Sequence, residues 1–251
     1  MRIGLSPQIP GSGSVDDVVA AARQTADDGF ATYWMAQVFG LDALTALTVA
    51  GREVTGIELG TAVVPTYPRH PWVMAQQALT AQAAIGNRLA LGIGLSHKIV
   101  IEGMWGMSFA KPVLHLREYL EVLVPLSKGQ AVEVEGDTVT ARGTIDVPGA
   151  APFPVLVAAL GPQMLELTGR LADGTITWCV GPKTLADFTI PTISAASVVT
   201  PTGNIATTRG TARPARSAAA EIVGMVKSAN VFGPTHHVMV PSASRPVSSN
   251  I

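Results

Sequence analysis

The sequence predicts an eight-stranded α/β barrel that carries a small inserted hairpin and is incomplete at its C-terminal end. Three observations lead there. The chain has 251 residues, the usual size of one such barrel. Strand-like and helix-like segments alternate six times over residues 1–194, the pattern of a parallel sheet wrapped by helices. The composition then breaks: residues 1–194 hold 20 leucines and residues 195–251 hold none, where about six would be expected at the earlier frequency. Six units and an unusual tail suggest a barrel whose last two units are missing or replaced. A doubly wound parallel sheet is the structural rival, which periodicity alone does not exclude.

The first unit is a short apolar strand at 3–6, a Gly/Ser/Pro loop and a helix. Ser14 can cap that helix, Val15, Val18, Val19, Ala22 and Ala26 fall on one face, and Gly29 lies past its end. A second strand at 32–36 precedes a helix capped by Asp42 and carrying Leu44 and Leu47. The third strand spans 57–63. Pro71 suits the first turn of the helix that follows, which ends at Gly86. The fourth strand spans 89–94. Pro112 opens a helix with Leu116, Tyr119, Leu120 and Leu123, closed by Gly129. Residues 131–135 and 138–141 flank Gly136-Asp137 and read as the inserted hairpin. The alternation resumes with strand 155–159, helix 162–172, strand 175–180 and a last helix from about Pro182.

Residues 1–194 therefore read as barrel units one to six, and 195–251 as an atypical tail, disordered or frame-shifted. The first part has a net charge of −5 and the tail +4. The best helical stretch of the tail is 217–227, and 238–240 could form a strand. One strand cannot close a gap of two, so strands one and six are expected to lack partners.

Composition narrows the function. The chain is 47% hydrophobic and only 14% charged, with a net charge of −1, which argues against nucleic acid as the main partner. The single cysteine, Cys179, makes neither an intrachain disulfide nor a zinc knuckle, so a reducing cytoplasm is expected. Within its apolar run, Cys179 reads as a small buried hydrophobe. No targeting segment is visible, and the charge-free stretch 147–165 is broken by prolines and glycines, so no membrane span is expected. No histidine pair stands at metal spacing with a carboxylate, and no metal is expected.

In a parallel barrel, chemistry gathers just past the C-terminal ends of the strands. Those positions hold Met35-Ala36-Gln37, Thr61-Ala62-Val63-Val64-Pro65, Gly92-Ile93-Gly94-Leu95-Ser96-His97, Ala158-Ala159-Leu160-Gly161-Pro162 and Val180-Gly181-Pro182-Lys183. Gly92 and Gly94 do not make a dinucleotide fingerprint, because the third glycine would fall at His97. They would let a flat ring or a phosphate approach the backbone; the plain alternative is that they relieve crowding at a rim. Gly161-Pro162 leaves free N–H groups at a helix start, where an anion can sit, or is only a helix start. His97 is the better histidine for acid–base or cofactor contact. His70 can serve as a helix cap, and Ser96 lacks a nucleophile-elbow context. A site this poor in acids and bases suits a cofactor that performs the hard step.

Taken in order, Trp34-Met35-Ala36-Gln37, Leu59-Gly60-Thr61-Ala62-Val63 with Arg69-His70-Pro71, Leu91 to His97, and Ala158 to Pro162 with Ala172-Asp173-Gly174 resemble the luciferase-like superfamily. Within it, they are most similar to the actinobacterial oxidoreductases that use coenzyme F420, a 5-deazaflavin. The resemblance implies a TIM barrel with an insertion and a non-proline cis peptide at Ala62-Val63. It places the deazaflavin ring near Gln37, Ala62, Val63 and Gly94, with Ser96 and His97 bordering the ring or its side chain; Gly92 is expected among the cofactor-binding residues. The cofactor phosphate falls near Ala159, Leu160, Gly161 and Pro162. His97, or a water it holds, would move the proton that accompanies hydride transfer to or from a small organic substrate.

The chain departs from the sugar-phosphate dehydrogenases of that superfamily. Gln37 and His97 stand near their catalytic histidine and glutamate. FMN in a luciferase-like monooxygenase is the alternative cofactor, and a truncated non-catalytic barrel the alternative of another class. The expected partners are a small-molecule substrate and, at most, a second copy of the chain in a homodimer.

Overall fold

The computed structural model describes residues 3–7, 13–177, 180–198, 221–227 and 236–242. The elements in order are β1 (Gly4–Pro7), α1 (Val15–Asp27), β2 (Thr32–Met35), α2 (Ala43–Glu53), β3 (Glu58–Thr61), β4 (Val64–Pro65), α3 (Pro71–Ala84) and β5 (Leu89–Gly94). A π-helix at Ile99–Met104 leads to α4 (Pro112–Ser127), and β6 (Val132–Glu135) and β7 (Thr140–Gly143) form the antiparallel hairpin. Then come β8 (Val155–Ala158), α5 (Pro162–Leu171), β9 (Gly174–Thr177), a short α6 (Pro182–Thr184), a π-turn at Leu185–Thr189, α7 (Ile190–Val198), β10 (Glu221–Lys227) and β11 (His236–Ser242).

The sheet is a curled barrel and not the doubly wound rival. Its order runs β3-β2-β1-β11-β10-β9-β8-β5, and β5 returns to β3. The first six barrel strands are parallel, and β10 runs parallel to β9. Strand β11 is antiparallel to both β10 and β1.

The expectation that strands one and six lack partners is therefore overturned: β1 pairs with β11 and β9 with β10. The helical reading of 217–227 is corrected as well, because 221–227 is a strand. Ile222, Val223 and Val226 are β-branched, which outweighs the alanines just before them. The strand expected at 238–240 lies within β11. Only residues 228–235 separate β10 from β11. Eight residues are too few for a parallel crossover, which needs a dozen or more, so the pair runs antiparallel. Among the described residues no helix follows α7. The expectations for Cys179 and for most of the tail fall outside the described residues.

Two devices shape the barrel interior. Trp34, 4% exposed, packs with Ala62, Ala90, Leu156 and Ile176 inside the ring. It fits because Gly4 and Gly60 carry no side chain: a Cβ on either would overlap the indole. The second device is where β3 leaves β5. The ladder stops after Leu59↔Leu89 and Gly60↔Ala90. There the Thr61 hydroxyl takes the place of a backbone partner. It accepts from the Gly92 N–H and donates to the Gly92 carbonyl, both at 2.8 Å. The Ala62–Val63 peptide is cis, as the resemblance implied, and β4 then rejoins β5 at Val64↔Ile93 and Pro65↔Gly94.

The outer core lies between sheet and helices, around Leu44, Leu47, Leu59, Leu91, Leu116 and Leu120. The expected caps are present. Ser14 and Asp17 form a capping box, and Asp42 Oδ1 accepts from the Thr45 N–H at 2.9 Å.

Candidate functional site

The C-terminal ends of the strands open into a cavity of about 540 Å³. Its floor is made of small residues from neighbouring strands: Ala62, Val63, Gly94 and Ala158, with Ile176 beside them. Gly94 leaves no room for a side chain. A Cβ there would come within 2.7 Å of Val63 Cγ2 and 3.1 Å of Ala158 Cβ. The walls come from the loop after β2 (Ala36, Gln37, Val38, Phe39), the segment after β5 (Leu95, Ser96, His97, Val100, Trp105, Phe109) and Leu160 after β8.

Of the residues expected at the site, Gln37, Ala62, Val63, Gly94, Ser96, His97 and Leu160 line this cavity. Gly92 does not. It sits one layer lower, where a Cβ would run into the Thr61 carbonyl, so its missing side chain serves the β3–β5 junction. Ala159 is buried and is not part of the lining. Gly161 and Pro162 lie just beyond it at the exposed start of α5.

Gln37 is held by a specific bond. Its Oε1 accepts from the Ala43 N–H at the start of α2, 3.2 Å away, which turns the Nε2 amide hydrogens to other partners. Ser96 adopts φ +62°. This left-handed conformation is uncommon for serine and recurs where backbone geometry serves a site. The His97 carbonyl accepts from the Val100 and Ile101 N–H groups and starts the π-helix. The His97 ring is exposed at the mouth.

Gly161 caps α5 with no side-chain bond, and Pro162 stands at the first helical position. The next N–H groups of α5 therefore have no partner within the helix. A Cβ on Gly161 would meet nothing within 4 Å.

The aromatic wall was not legible in the sequence. Phe39, Trp105 and Phe109 lie outside the strand-end motifs, in loops whose paths the sequence pattern leaves open. Phe109 stacks on Tyr67 (ring centroids 5.2 Å apart), and Tyr67 stacks on His115 (4.1 Å). Burial pushes the His115 imidazole below its ordinary range, against a smaller upward pull from Glu118, so the stack is neutral at pH 7. Its Nε2 lies 3.1 Å from Thr66 Oγ1. His70 is a cap, as read: its Nδ1 accepts from the Trp72 N–H and its Nε2 donates to the Thr140 carbonyl.

Three cations on the strand-end segments are in ion pairs, while Lys183, exposed after β9, makes none among the described residues and Arg69 Nη1 has no hydrogen-bond partner. Arg69 pairs with Asp42, Lys98 with Glu102 at 3.6 Å, and Lys111 with Asp137 at 2.9 Å. Among the described residues, no group of three or more His, Cys, Asp or Glu could hold a metal ion. No helix there is long and apolar enough to cross a membrane.

Several known proteins are similar to this chain. A protein of Mycobacterium tuberculosis whose name proposes a coenzyme F420-dependent oxidoreductase is 30% identical over 181 residues, covering 66% of this chain and 51% of its own length. The F420-dependent glucose-6-phosphate dehydrogenase of Mycolicibacterium gilvum is 32% identical over 142 residues, covering 53% and 42%. The chain spans about half the length of the curated relatives it matches. Among solved structures, the F420-dependent tetrahydromethanopterin reductase of Methanopyrus kandleri superposes with a TM-score of 0.67 at 25% identity. The match covers 79% of this chain and 62% of that one. The sequence profile described as luciferase-like monooxygenase matches residues 2–219, and the chain belongs to that family.

Proposed function

We propose that the chain is an F420-dependent oxidoreductase whose strand-end cavity presents a deazaflavin to a small organic substrate. The observation that carries this is the small-residue lining of Ala62, Val63, Gly94 and Ala158 in a cavity of about 540 Å³. A planar ring can lie against these small side chains, with Ile176 beside them. The names of the relatives at about 30% identity support the choice of F420.

When bound, the deazaflavin supplies hydride transfer at its C5. The chain supplies orientation. Gln37, Ala62, Val63, Gly94 and Ser96 border the ring. Ala159, Leu160, Gly161 and Pro162 lead to the start of α5, whose unpaired N–H groups hold the phosphate. Gly92 acts from below, through its two bonds to Thr61. His97, or a water it holds, exchanges a proton with the substrate. A cytoplasmic location and the absence of a nucleic-acid partner belong to the same reading, supported by the balanced charge and single cysteine. So does the division at residue 194 into six barrel units and a tail of different composition.

FMN is the second cofactor to consider, because the family profile is described by its monooxygenases. The first test is equilibrium titration of F420 against the parent and Gly161→Val. The valine has open space, so the fold is kept while approach of a phosphate is blocked. Affinity should fall about tenfold or more, some 1.4 kcal/mol. Equal affinity would overturn the phosphate assignment, and a parent that does not bind F420 would overturn the function.

A further inference from the structure

Large apolar side chains are exposed on this protein in an uneven way. Ten are exposed among the described residues: Val38, Phe39, Val49, Val73, Ile99, Met104, Trp105, Met107, Leu160 and Phe188. Val49 and Val73 lie on outer helices; the other eight lie in segments that follow barrel strands, and four of these, Val38, Phe39, Trp105 and Leu160, line the cavity. Phe39 is 64% exposed although it lines the cavity. An apolar rim of this size marks a surface that is covered when a ligand is bound.

Charge is distributed in the opposite way. Among the described residues, no Lys, Arg, Asp or Glu lines the cavity. Of the basic residues on the strand-end segments, Arg69, Lys98 and Lys111 pair with Asp42, Glu102 and Asp137, and Lys183, exposed after β9, makes no ion pair among the described residues. The polar groups on the wall are neutral hydrogen-bonding ones, Gln37 and Ser96, and the His97 ring. Behind Phe109 the wall is backed by the Tyr67–His115 stack, which brings no charge to it. A phosphate or carboxylate entering here would lose its hydration against a lining that, among the described residues, holds no cation.

We propose that the substrate half of this cavity takes an uncharged, predominantly apolar small molecule and rejects phosphorylated or carboxylated ones. This rests on the oxidoreductase reading above and names its substrate class. The segments after β2 and β5 provide the recognition, with Phe39, Val100, Trp105 and Phe109 as the contact surface. A neutral donor such as the Gln37 amide can orient a single oxygen atom of the substrate.

The test is direct binding to the full chain, without cofactor, read from Trp105 fluorescence. The Trp105 component is isolated by subtracting the signal of Trp105→Phe. The probes are 2-decanone and glucose 6-phosphate. The expected result is a saturable change with 2-decanone and none with glucose 6-phosphate. Phe39→Asp should weaken 2-decanone binding about tenfold, and since Phe39 is exposed the variant should fold as the parent does, checked by circular dichroism. Saturable binding of glucose 6-phosphate, or no response to 2-decanone, would overturn the proposal. Titrating F420 into the same preparation separates the two readings. Binding of 2-decanone without F420 removes the cofactor assignment and keeps the apolar site. Binding of F420 with glucose 6-phosphate does the reverse.

Discussion

The two ends of the barrel are built on opposite principles. At the N-terminal end, polar side chains close the backbone. Arg88 donates to three carbonyls, those of Ile85, Ile57 and Gly51. Gln82 accepts from the Leu89 N–H and donates to the Ala151 carbonyl. Asn87 bonds both Gly149 and Ala151, and Asp173 accepts from the Val155 N–H. The starts of β5 and β8 each find a side chain that accepts from the first backbone N–H of the strand. At the C-terminal end the loops leave aromatic and aliphatic side chains in solvent and hold a cavity of about 540 Å³. One end satisfies its own groups; the other is left to be satisfied by a ligand. Stability and binding are therefore separable along the barrel axis, as the architecture allows.

Substitutions can break or sharpen that contrast. The largest effect is expected from Arg88→Ala, which leaves three half-buried carbonyls without their charged donor. It should lower unfolding free energy by about 3 kcal/mol, measured by urea denaturation, while the surviving folded protein binds ligand normally. Gly60→Ala comes next. The added methyl overlaps the Trp34 indole, and overpacking of this kind costs about 2 kcal/mol; a thermal melt unchanged from the parent would refute the plugged interior.

Glu118→Gln addresses the inserted hairpin. The Glu118 carboxylate accepts from the N–H groups of Asp137, Thr138 and Val139 and from the Thr138 hydroxyl. A loss of about 1.5 kcal/mol is expected. Burial raises the carboxyl pKa, but these four bonds more than offset it and hold the group below its ordinary value of 4.5. The folded state thus binds the proton less tightly than the unfolded one. The stability it contributes is present above pH 4.5 and is lost as pH falls through the folded value. The parent should lose stability in that window more steeply than Glu118→Gln. The smallest effect on stability belongs to Phe39→Ala at the open end, within about 0.5 kcal/mol, although it should weaken apolar ligand binding.

How much of this was legible in the sequence follows the same division. The six parallel strands and their helices were readable because apolar periodicity reports burial against a core. The caps at Ser14, Asp42 and His70 were readable because capping is local chemistry. The strand-end motifs led to seven residues of the cavity lining, from Gln37 to Leu160. Phe39, Trp105 and Phe109 were not found, because their loops carry no periodicity and their positions depend on a tertiary stack with Tyr67 and His115. Gly92 was expected among the cofactor-binding residues for its lack of a side chain; the crowding is real, but its cause is Thr61 below the floor. The tail was misread where composition stood in for pairing. A leucine-free segment still forms β10 and β11, since β-branched residues and a ladder of backbone bonds are enough to place a strand.

The central claim, that the floor of Ala62, Val63, Gly94 and Ala158 receives a deazaflavin, is tested most directly by titrating the full chain with F420 and with FMN side by side, following cofactor fluorescence. The account predicts saturable binding of F420 with the lower Kd. Tighter binding of FMN, or binding of neither, would contradict it.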